Sequence, residues 1–279
     1  METQIEHVSD TALLVAASRA LESARTDGLI SDPFAARLAG DRGLALAKNV
    51  KVPEWMELGL GLRTRFLDEL LGIALLRGAD SVLSLGAGLD ARPWRLDLPA
   101  NLRWTEVDFP AMLDYKYAIL RDAPPHCQLE RKSGDLNNAS ERRAVLAGAA
   151  SAAHCPVLIT EGLLMYLPSE TVQALGEESR DAGFRFWLMD SSSPAFMRRA
   201  HGDAVEHINR VRAESHLEGP QIREAIEQRG WKPLDRRLFI EEAPKLALQR
   251  ILKIIQAEGR PPETPPKDGS GAWLYETEQ

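Results

Sequence analysis

The stretch SLGAGLDARPW, residues 84–94, follows a short apolar run and carries Gly86, Gly88 and Ala91 in the spacing of a dinucleotide-binding turn. In open α/β sheets such a turn follows the first strand and approaches a ligand at the carboxyl ends of the strands. Glycine suits this position because the missing side chain permits positive φ and a close approach of the backbone. The stretch therefore predicts an α/β protein that binds a nucleotide, and it leaves the identity of the nucleotide open.

The turn belongs to a series of five short apolar runs that each close on a carboxylate, a glycine or both. Such runs are typical of buried strands, and the helical stretches between several of them predict right-handed crossovers within a parallel sheet. The sequence thus predicts a doubly wound α/β fold. The runs are SVLSLG at 81–86, LRWTEVD at 102–108, QLERKSGD at 128–135, PVLITEG at 156–162 and FRFWLMD at 184–190.

The length of 279 residues, 44% of them hydrophobic, allows one large core, and we expect a single domain over residues 1–279. Four parts are expected within it. Residues 1–78 form an N-terminal helical cap, 79–190 the cofactor-binding core, 191–230 a helical lid, and 231–279 the C-terminal strands.

Composition and charge argue against several classes of protein. The net charge of -7 is spread along the chain, and no basic run alternates with aromatic residues, so nucleic acid is not expected as a partner. Cys127 and Cys155 lack the spacing of a zinc site and indicate reduced thiols, so no metal is expected. No window reaches the ~18 apolar residues that a membrane span needs. We therefore expect a soluble cytoplasmic protein without a membrane partner; the sequence does not indicate an oligomeric state.

Asp108 closes the second predicted strand, 20 positions after Gly88, where an acidic side chain can accept hydrogen bonds from both ribose hydroxyls. NAD and S-adenosylmethionine both carry such a ribose. The helix after the glycine turn contains Pro93 and Pro99 and is expected to be one or two turns long, whereas a pyrophosphate site favours a long, regular helix. This feature favours S-adenosylmethionine.

Two further features favour the same cofactor. Arg63 and Arg65 precede the first strand, and a guanidinium would attract the amino-acid carboxylate that NAD lacks. For Arg65 we expect instead an exposed ion pair with Asp68 or Glu69. The next two predicted strands also end in acids, with Asp135 beside Leu136 after the third strand and Glu161 after the fourth. An acid in such a place can accept a hydrogen bond from the adenine amino group.

In this order, these residues resemble the leucine carboxyl methyltransferase family, including its bacterial members that use S-adenosylmethionine. The resemblance covers most of the chain. The motifs that carry it are TALLVAASRALES, LISDPFAARL, LRTRFLD, SLGAGLDARPWRL, TEVDFP, SGDL and ITEGLLMYLP.

The resemblance implies a class I methyltransferase fold, a Rossmann-like sheet with strand order 3-2-1-4-5-7-6 and an antiparallel strand 7. It also implies roles for individual residues. The methionine carboxylate lies near Arg63, with possible help from Arg19, and Glu161 lies near the methionine amino group. The turn Gly86, Ala87 and Gly88 lies beside the methionine part, the ribose on Asp108, and the adenine against Asp135 and Leu136.

The expected activity is an S-adenosylmethionine-dependent O-methyltransferase that acts on a carboxylate or hydroxyl of a small-molecule acceptor. Two alternatives stay open at this point, an NAD(P)-linked oxidoreductase and a binding module without turnover. A hydroxyl acceptor would benefit from a general base, for which His201 and His207 in the expected lid are candidates. Tyr166, after the fourth strand, is a further candidate and is expected in the pocket wall.

Overall fold

The computed structural model describes residues 8–49, 54–151, 153–201, 212–258 and 269–277. Three helices precede the sheet, and α1 packs against both α2 and α3. The carboxylate of Asp32 accepts a hydrogen bond from the backbone N–H of Phe34, which caps the turn that leads into α2. The three helices are α1 (Val8–Ser23), α2 (Ala35–Asn49) and α3 (Glu54–Leu76).

Seven strands form one sheet in the order β3-β2-β1-β4-β5-β7-β6. Strands β1 to β5 are parallel, and β7 runs antiparallel to both β5 and β6. The doubly wound fold, the strand order and the antiparallel strand 7 are confirmed. The strands are β1 (Ser81–Leu85), β2 (Arg103–Asp108), β3 (Gln128–Ser133), β4 (Pro156–Thr160), β5 (Phe186–Ser191), β6 (Trp231–Leu238) and β7 (Gly271–Thr277).

The helix after the glycine turn has four residues, which agrees with the short helix that Pro93 and Pro99 predicted. The remaining helices connect the strands. The segment 231–279, expected as strands, also contains a helix of 20 residues, because apolar side chains recur there at helical spacing. The helices are α4 (Arg92–Arg95), α5 (Pro110–Leu120), α6 (Ala139–Ser151), a 3₁₀ turn (Leu164–Tyr166), α7 (Ser169–Asp181), α8 (Pro194–His201), α9 (Gly219–Glu227) and α10 (Phe239–Glu258).

The core lies on both faces of the sheet because successive strand residues point to opposite sides. Val82 of β1 packs in a cluster with Phe66 and Leu70 of α3 on one face. Leu83, its neighbour in sequence, packs in a second cluster with Leu146 of α6 on the other face. Helix α3 is thereby fixed against the sheet, which sets the position of the side chains that α3 extends towards the strand ends.

Candidate functional site

A cavity of about 880 Å³ lies at the carboxyl ends of β1 to β5, where the fold is expected to bind a ligand. Its lining comes from the segments after these strands and from α1 and α3. The volume falls within the roughly 300–1,000 Å³ of small-molecule sites. The nine residues predicted to bind a cofactor all line this cavity: Arg19, Arg63, Gly86, Ala87, Gly88, Asp108, Asp135, Leu136 and Glu161.

The glycine turn has the backbone conformation that its spacing predicted. Gly86 has φ +60° and Gly88 has φ +44°, a region in which side chains are strained. A Cβ atom at Gly86 would lie 2.8 Å from Cδ1 of Leu163, so this glycine allows close packing. At Gly88, which lines the cavity, a Cβ atom would make ordinary van der Waals contacts with the carbonyl oxygen of Gly86 at 3.8 Å and with Cβ of Ala12 at 3.9 Å.

Asp108 is held beside this turn by backbone hydrogen bonds. One carboxylate oxygen accepts the N–H of Gly88 at 2.7 Å, and the other accepts the N–H of Phe109 at 2.7 Å. Burial raises the pKa of Asp108, although these two N–H donors act in the opposite direction. Each carboxylate oxygen has a further lone pair, so the side chain can accept two more hydrogen bonds from a ligand such as a ribose.

A buried arginine that was not identified from the sequence binds three carboxylates beside the site. Arg92 is 1% exposed and donates to Asp68 at 2.6 Å, to Asp90 at 3.0 Å and to Glu161 at 2.6 Å. Asp90 also accepts the backbone N–H of Arg92 at the start of α4. Burial would raise the pKa of Asp90, but the charge of Arg92 holds it well below its usual range. A carboxylate thus already occupies the helix N-terminus that follows the glycine turn.

Arg63 lies between two carboxylates at the ends of β4 and β5. Its Nε donates to Oε1 of Glu161 at 3.1 Å, and its Nη1 lies 3.6 Å from Oδ2 of Asp190. Burial would raise the pKa of Glu161, but the guanidinium groups of Arg92 and Arg63 lower it below its usual value. Among the described residues, neither Nη atom of Arg63 makes a hydrogen bond, so both remain available to a ligand carboxylate.

The other predicted cofactor residues differ in how far their polar atoms already make hydrogen bonds within the protein. Arg19 lines the cavity, yet its Nε donates to Asp32 at 3.0 Å and its Nη2 donates to the carbonyl of Leu89 at 2.6 Å. Arg19 therefore anchors the segment after the glycine turn. Asp135 accepts the N–H of Asn137 through Oδ1, and Leu136 is buried beside it. Asp135 and Leu136 thus present one carboxylate and one apolar surface on the β3 side of the cavity.

The candidates for proton transfer are only partly described. His207 lies outside the described residues, as do the side-chain surroundings of His201, the last residue of α8. Tyr166 lines the cavity, as expected of a pocket wall. Burial raises the pKa of Tyr166, while a hydrogen bond with Thr11 and the charge of Arg63 lower it. With a raised pKa the phenol stays protonated at neutral pH, which suits hydrogen-bond donation better than the role of a base.

The cavity continues past the ends of β4 and β5 into an apolar part, which we call the apolar chamber. Helix α3 contributes to it from one side, and α8 and the start of α10 from the other. Phe196 and Phe239 stack there with ring centroids 4.7 Å apart. The apolar chamber is lined by Met56, Leu60, Phe196, Met197, Ile222 and Phe239.

Asp190 lines the same cavity near the end of β5. Its Oδ1 accepts the backbone N–H of Gly162 at 2.6 Å. Burial raises the pKa of Asp190, although Arg63 and the N–H of Gly162 act against the rise. The sequence could have identified Asp190 as a site residue, because it ends the fifth apolar run in the same way as Asp108 ends the second.

Comparison with known proteins identifies the family of this chain. The family model described as leucine carboxyl methyltransferase matches residues 12–179, which is more than half of the chain. The chain belongs to the leucine carboxyl methyltransferase family. The resemblance seen in the sequence is confirmed, and the chain is accordingly a methyltransferase. A relative from Frankia alni, named as an S-adenosyl-L-methionine-dependent methyltransferase, is 38% identical over 208 residues, which cover 70% of this chain and 72% of the relative.

Solved structures share the fold of this leucine carboxyl methyltransferase family member. A DUF574 family protein from Streptomyces avermitilis matches with a TM-score of 0.57 at 11% identity and covers 94% of this chain and 97% of its own. A protein from Thermobifida fusca, classed with the methyltransferases, matches with a TM-score of 0.54 at 17% identity over 86% of this chain and 90% of its own.

In the described part of the chain, no helix is both long and apolar enough to cross a membrane.

Proposed function

We propose that the protein is an O-methyltransferase that transfers the methyl group of S-adenosylmethionine to a carboxylate or hydroxyl of a small molecule. S-adenosylmethionine is the methyl donor by which relatives of this chain are named. The observation that supports the proposal most strongly is the carboxylate of Asp108, which is held by the N–H of Gly88 and lines the cavity beside the glycine turn. This arrangement suits the ribose of an adenosine.

The charge around the glycine turn favours a sulfonium nucleoside over a dinucleotide. A dinucleotide needs its pyrophosphate at the helix N-terminus after the turn. In this protein Asp90 occupies that N-terminus and accepts the N–H of Arg92. A pyrophosphate there would meet a buried negative charge, whereas the cationic sulfonium of S-adenosylmethionine would not be repelled.

The residues present also fit the amino-acid end of the cofactor. Arg63 offers the N–H groups of two Nη atoms to a carboxylate, which matches the planar fork by which arginine binds carboxylates. Glu161, at the other side of Arg63, offers a carboxylate to an ammonium group. Asp135 and Leu136 would contact the adenine, one by accepting a hydrogen bond and the other by apolar packing.

When bound, S-adenosylmethionine supplies an activated methyl group, so the chain mainly has to align the acceptor and exclude water. Asp108 and Arg63 would fix the two ends of the donor. The apolar chamber would desolvate the acceptor and orient it towards the sulfonium. Tyr166, which keeps its proton at neutral pH, would serve as a wall and hydrogen-bond donor in this arrangement.

The first experiment measures binding of S-adenosylmethionine, S-adenosylhomocysteine and NAD in parallel, by calorimetry and by thermal shift. A ligand present at 100 times its dissociation constant stabilises the folded state by ~2.7 kcal/mol, which is several degrees for a chain of this size. We expect both sulfur nucleosides to bind and NAD to have no effect. Transfer of a labelled methyl group to phenols, alcohols and carboxylic acids then tests the oxygen acceptor. Binding of NAD alone would overturn the proposal.

A further inference from the structure

Asp190, near the end of β5, lines the same cavity as the residues of the apolar chamber, and the reaction proposed above leaves its carboxylate without a role. Asp190 lines the cavity with 10% of its side chain exposed, and its Oδ1 is fixed by the N–H of Gly162. Its Oδ2 accepts no hydrogen bond from another described residue and lies 3.6 Å from Nη1 of Arg63. Oδ2 thus forms an ion pair but accepts no hydrogen bond from another described residue, and its lone pairs can accept a hydroxyl proton.

The basic side chains of the described cavity lining are already committed to acidic partners. Each one lies within 4 Å of a carboxylate, and Arg63 is in addition the expected partner of the methionine carboxylate. A carboxylate acceptor in the apolar chamber would therefore meet Asp190 without a free countercharge from the described lining, and a desolvated charge is costly unless it is paired. The pairs are Arg19 with Asp32, Arg42 with Asp10, Arg63 with Glu161 and Arg212 with Glu218.

We infer that the acceptor is a neutral hydroxyl compound with an apolar body, and that Asp190 accepts the hydroxyl proton through Oδ2. The apolar body would contact apolar residues of the cavity lining such as Leu60 and the stacked rings of Phe196 and Phe239. This inference rests on the proposed function and narrows its substrate class from acids and hydroxyl compounds to hydroxyl compounds.

The step balances without a further reactant. The acceptor hydroxyl passes its proton to Oδ2 of Asp190 while its oxygen forms a bond to the methyl carbon. The bond between that carbon and sulfur breaks, and its electron pair stays on sulfur. Asp190 leaves the step as a neutral carboxylic acid and returns its proton to solvent before the next turnover. General base catalysis of this kind contributes typically 10²–10⁴-fold to rate.

The test compares two probes of the same shape, 2-naphthol and 2-naphthoate, on protein saturated with S-adenosylhomocysteine at neutral pH. Calorimetry gives the dissociation constant of each probe for the unaltered protein and for two variants. Asp190→Asn keeps the oxygen that accepts the N–H of Gly162 and removes the charge. Asp97→Asn makes the same change at an exposed position outside the cavity lining and serves as the control.

We expect 2-naphthol to bind the unaltered protein at least about tenfold more tightly than 2-naphthoate, a difference of about 1.4 kcal/mol. Asp190→Asn should bring the two affinities within about threefold of each other, since the amide no longer repels an anion, and Asp97→Asn should leave the ratio unchanged. Equal or tighter binding of 2-naphthoate to the unaltered protein, or an unchanged ratio in Asp190→Asn, would overturn the inference. The affinity for S-adenosylhomocysteine is measured first in every variant, and its absence in the unaltered protein would instead refute the methyl-transfer proposal.

Discussion

Nε of Arg63 lies 3.1 Å from Oε1 of Glu161, so the two side chains predicted to bind the carboxylate and the amino group of the methionine are paired with each other. The pair joins α3 to the end of β4, and the two side chains are each 15% exposed. Because this hydrogen bond uses only Nε, the guanidinium can keep it while its Nη atoms bind a carboxylate. The cofactor would thus enter a site whose charges are already balanced.

Arg63→Met should weaken the binding of S-adenosylhomocysteine on the order of 10- to 100-fold, since it removes charge-assisted hydrogen bonds to the methionine carboxylate. 5′-Methylthioadenosine lacks that carboxylate, and its affinity should change by less than about threefold. Calorimetry with both ligands checks this. An equal loss for both would mean that Arg63 shapes the cavity as a whole and does not bind the amino-acid end.

Asp108→Ala should weaken both of these ligands, because both carry the ribose. We expect a loss of about 1.5 to 3 kcal/mol, or roughly 10- to 150-fold in Kd. The variant should also lower the melting temperature without ligand, since the N–H groups of Gly88 and Phe109 lose their acceptor. Asp97→Ala, at an exposed position, is the control and should alter neither property. Unchanged affinity in Asp108→Ala would show that the ribose is held elsewhere.

Gly86→Ala should destabilise the protein, because Gly86 has φ +60° and a Cβ atom would lie 2.8 Å from Leu163. The conformational strain alone costs about 1–2 kcal/mol. Gly72→Ala is the matched control, since Gly72 lies within α3 and a Cβ atom there would meet nothing within 4 Å. That change should stabilise the protein by about 0.5–1 kcal/mol. Urea unfolding of both variants checks the opposite signs.

The sequence predicted those parts of the site that depend on strand ends. Asp108 and Glu161 were found because the carboxyl ends of parallel strands meet at one edge of a sheet, whatever the loops between them do. An exposed ion pair of Arg65 with Asp68 or Glu69 was also predicted, and it forms with Glu69, which is four residues away on the same helix.

The ion-pair partners of Arg92 could not be predicted in this way. Asp68 lies 24 positions and Glu161 69 positions from Arg92, and only the packed fold brings them to it. Local sequence also did not predict the hydrogen bond between Arg19 and Asp32, because that bond depends on how the segment before α2 folds back on α1.

Arg92→Met should destabilise the protein by about 3–5 kcal/mol, because it removes the cation that Asp90 pairs with, while Asp68 keeps Arg95 and Glu161 keeps Arg63. Arg65→Met is the control for loss of an ion pair, since Arg65 and Glu69 are exposed. Its cost should stay within about 0.5 kcal/mol. Equal effects in the two variants would mean that the buried network contributes no more than an exposed pair.

The buried pair of Lys116 with Glu106 should make stability depend on pH once it is broken. Nζ of Lys116 lies 2.6 Å from Oε1 of Glu106, and neither side chain is exposed. Burial raises the pKa of Glu106, while Lys116 lowers it, so Lys116→Met should raise this pKa further. The folded state then holds the proton of Glu106 more tightly than the unfolded chain does. Below the ordinary pKa of Glu106 the side chain is neutral in both the folded and the unfolded state, and the variant pays no cost for a buried charge. As the pH rises from that ordinary pKa through the higher pKa of the folded state, the variant loses stability, because folding disfavours the ionised carboxylate.

Lys116→Met should therefore lose about 3–5 kcal/mol at about pH 7 and clearly less at about pH 5, relative to the unaltered protein at each pH. Urea unfolding at the two pH values measures both losses. The double variant Lys116→Met with Glu106→Gln has no ionisable group at either position. Its loss of stability relative to the unaltered protein should therefore be smaller at about pH 7 than the loss in Lys116→Met, and should decrease less between about pH 7 and about pH 5. A loss in Lys116→Met that is the same at both pH values would mean that missing side-chain packing, and not the unpaired carboxylate of Glu106, destabilises the variant.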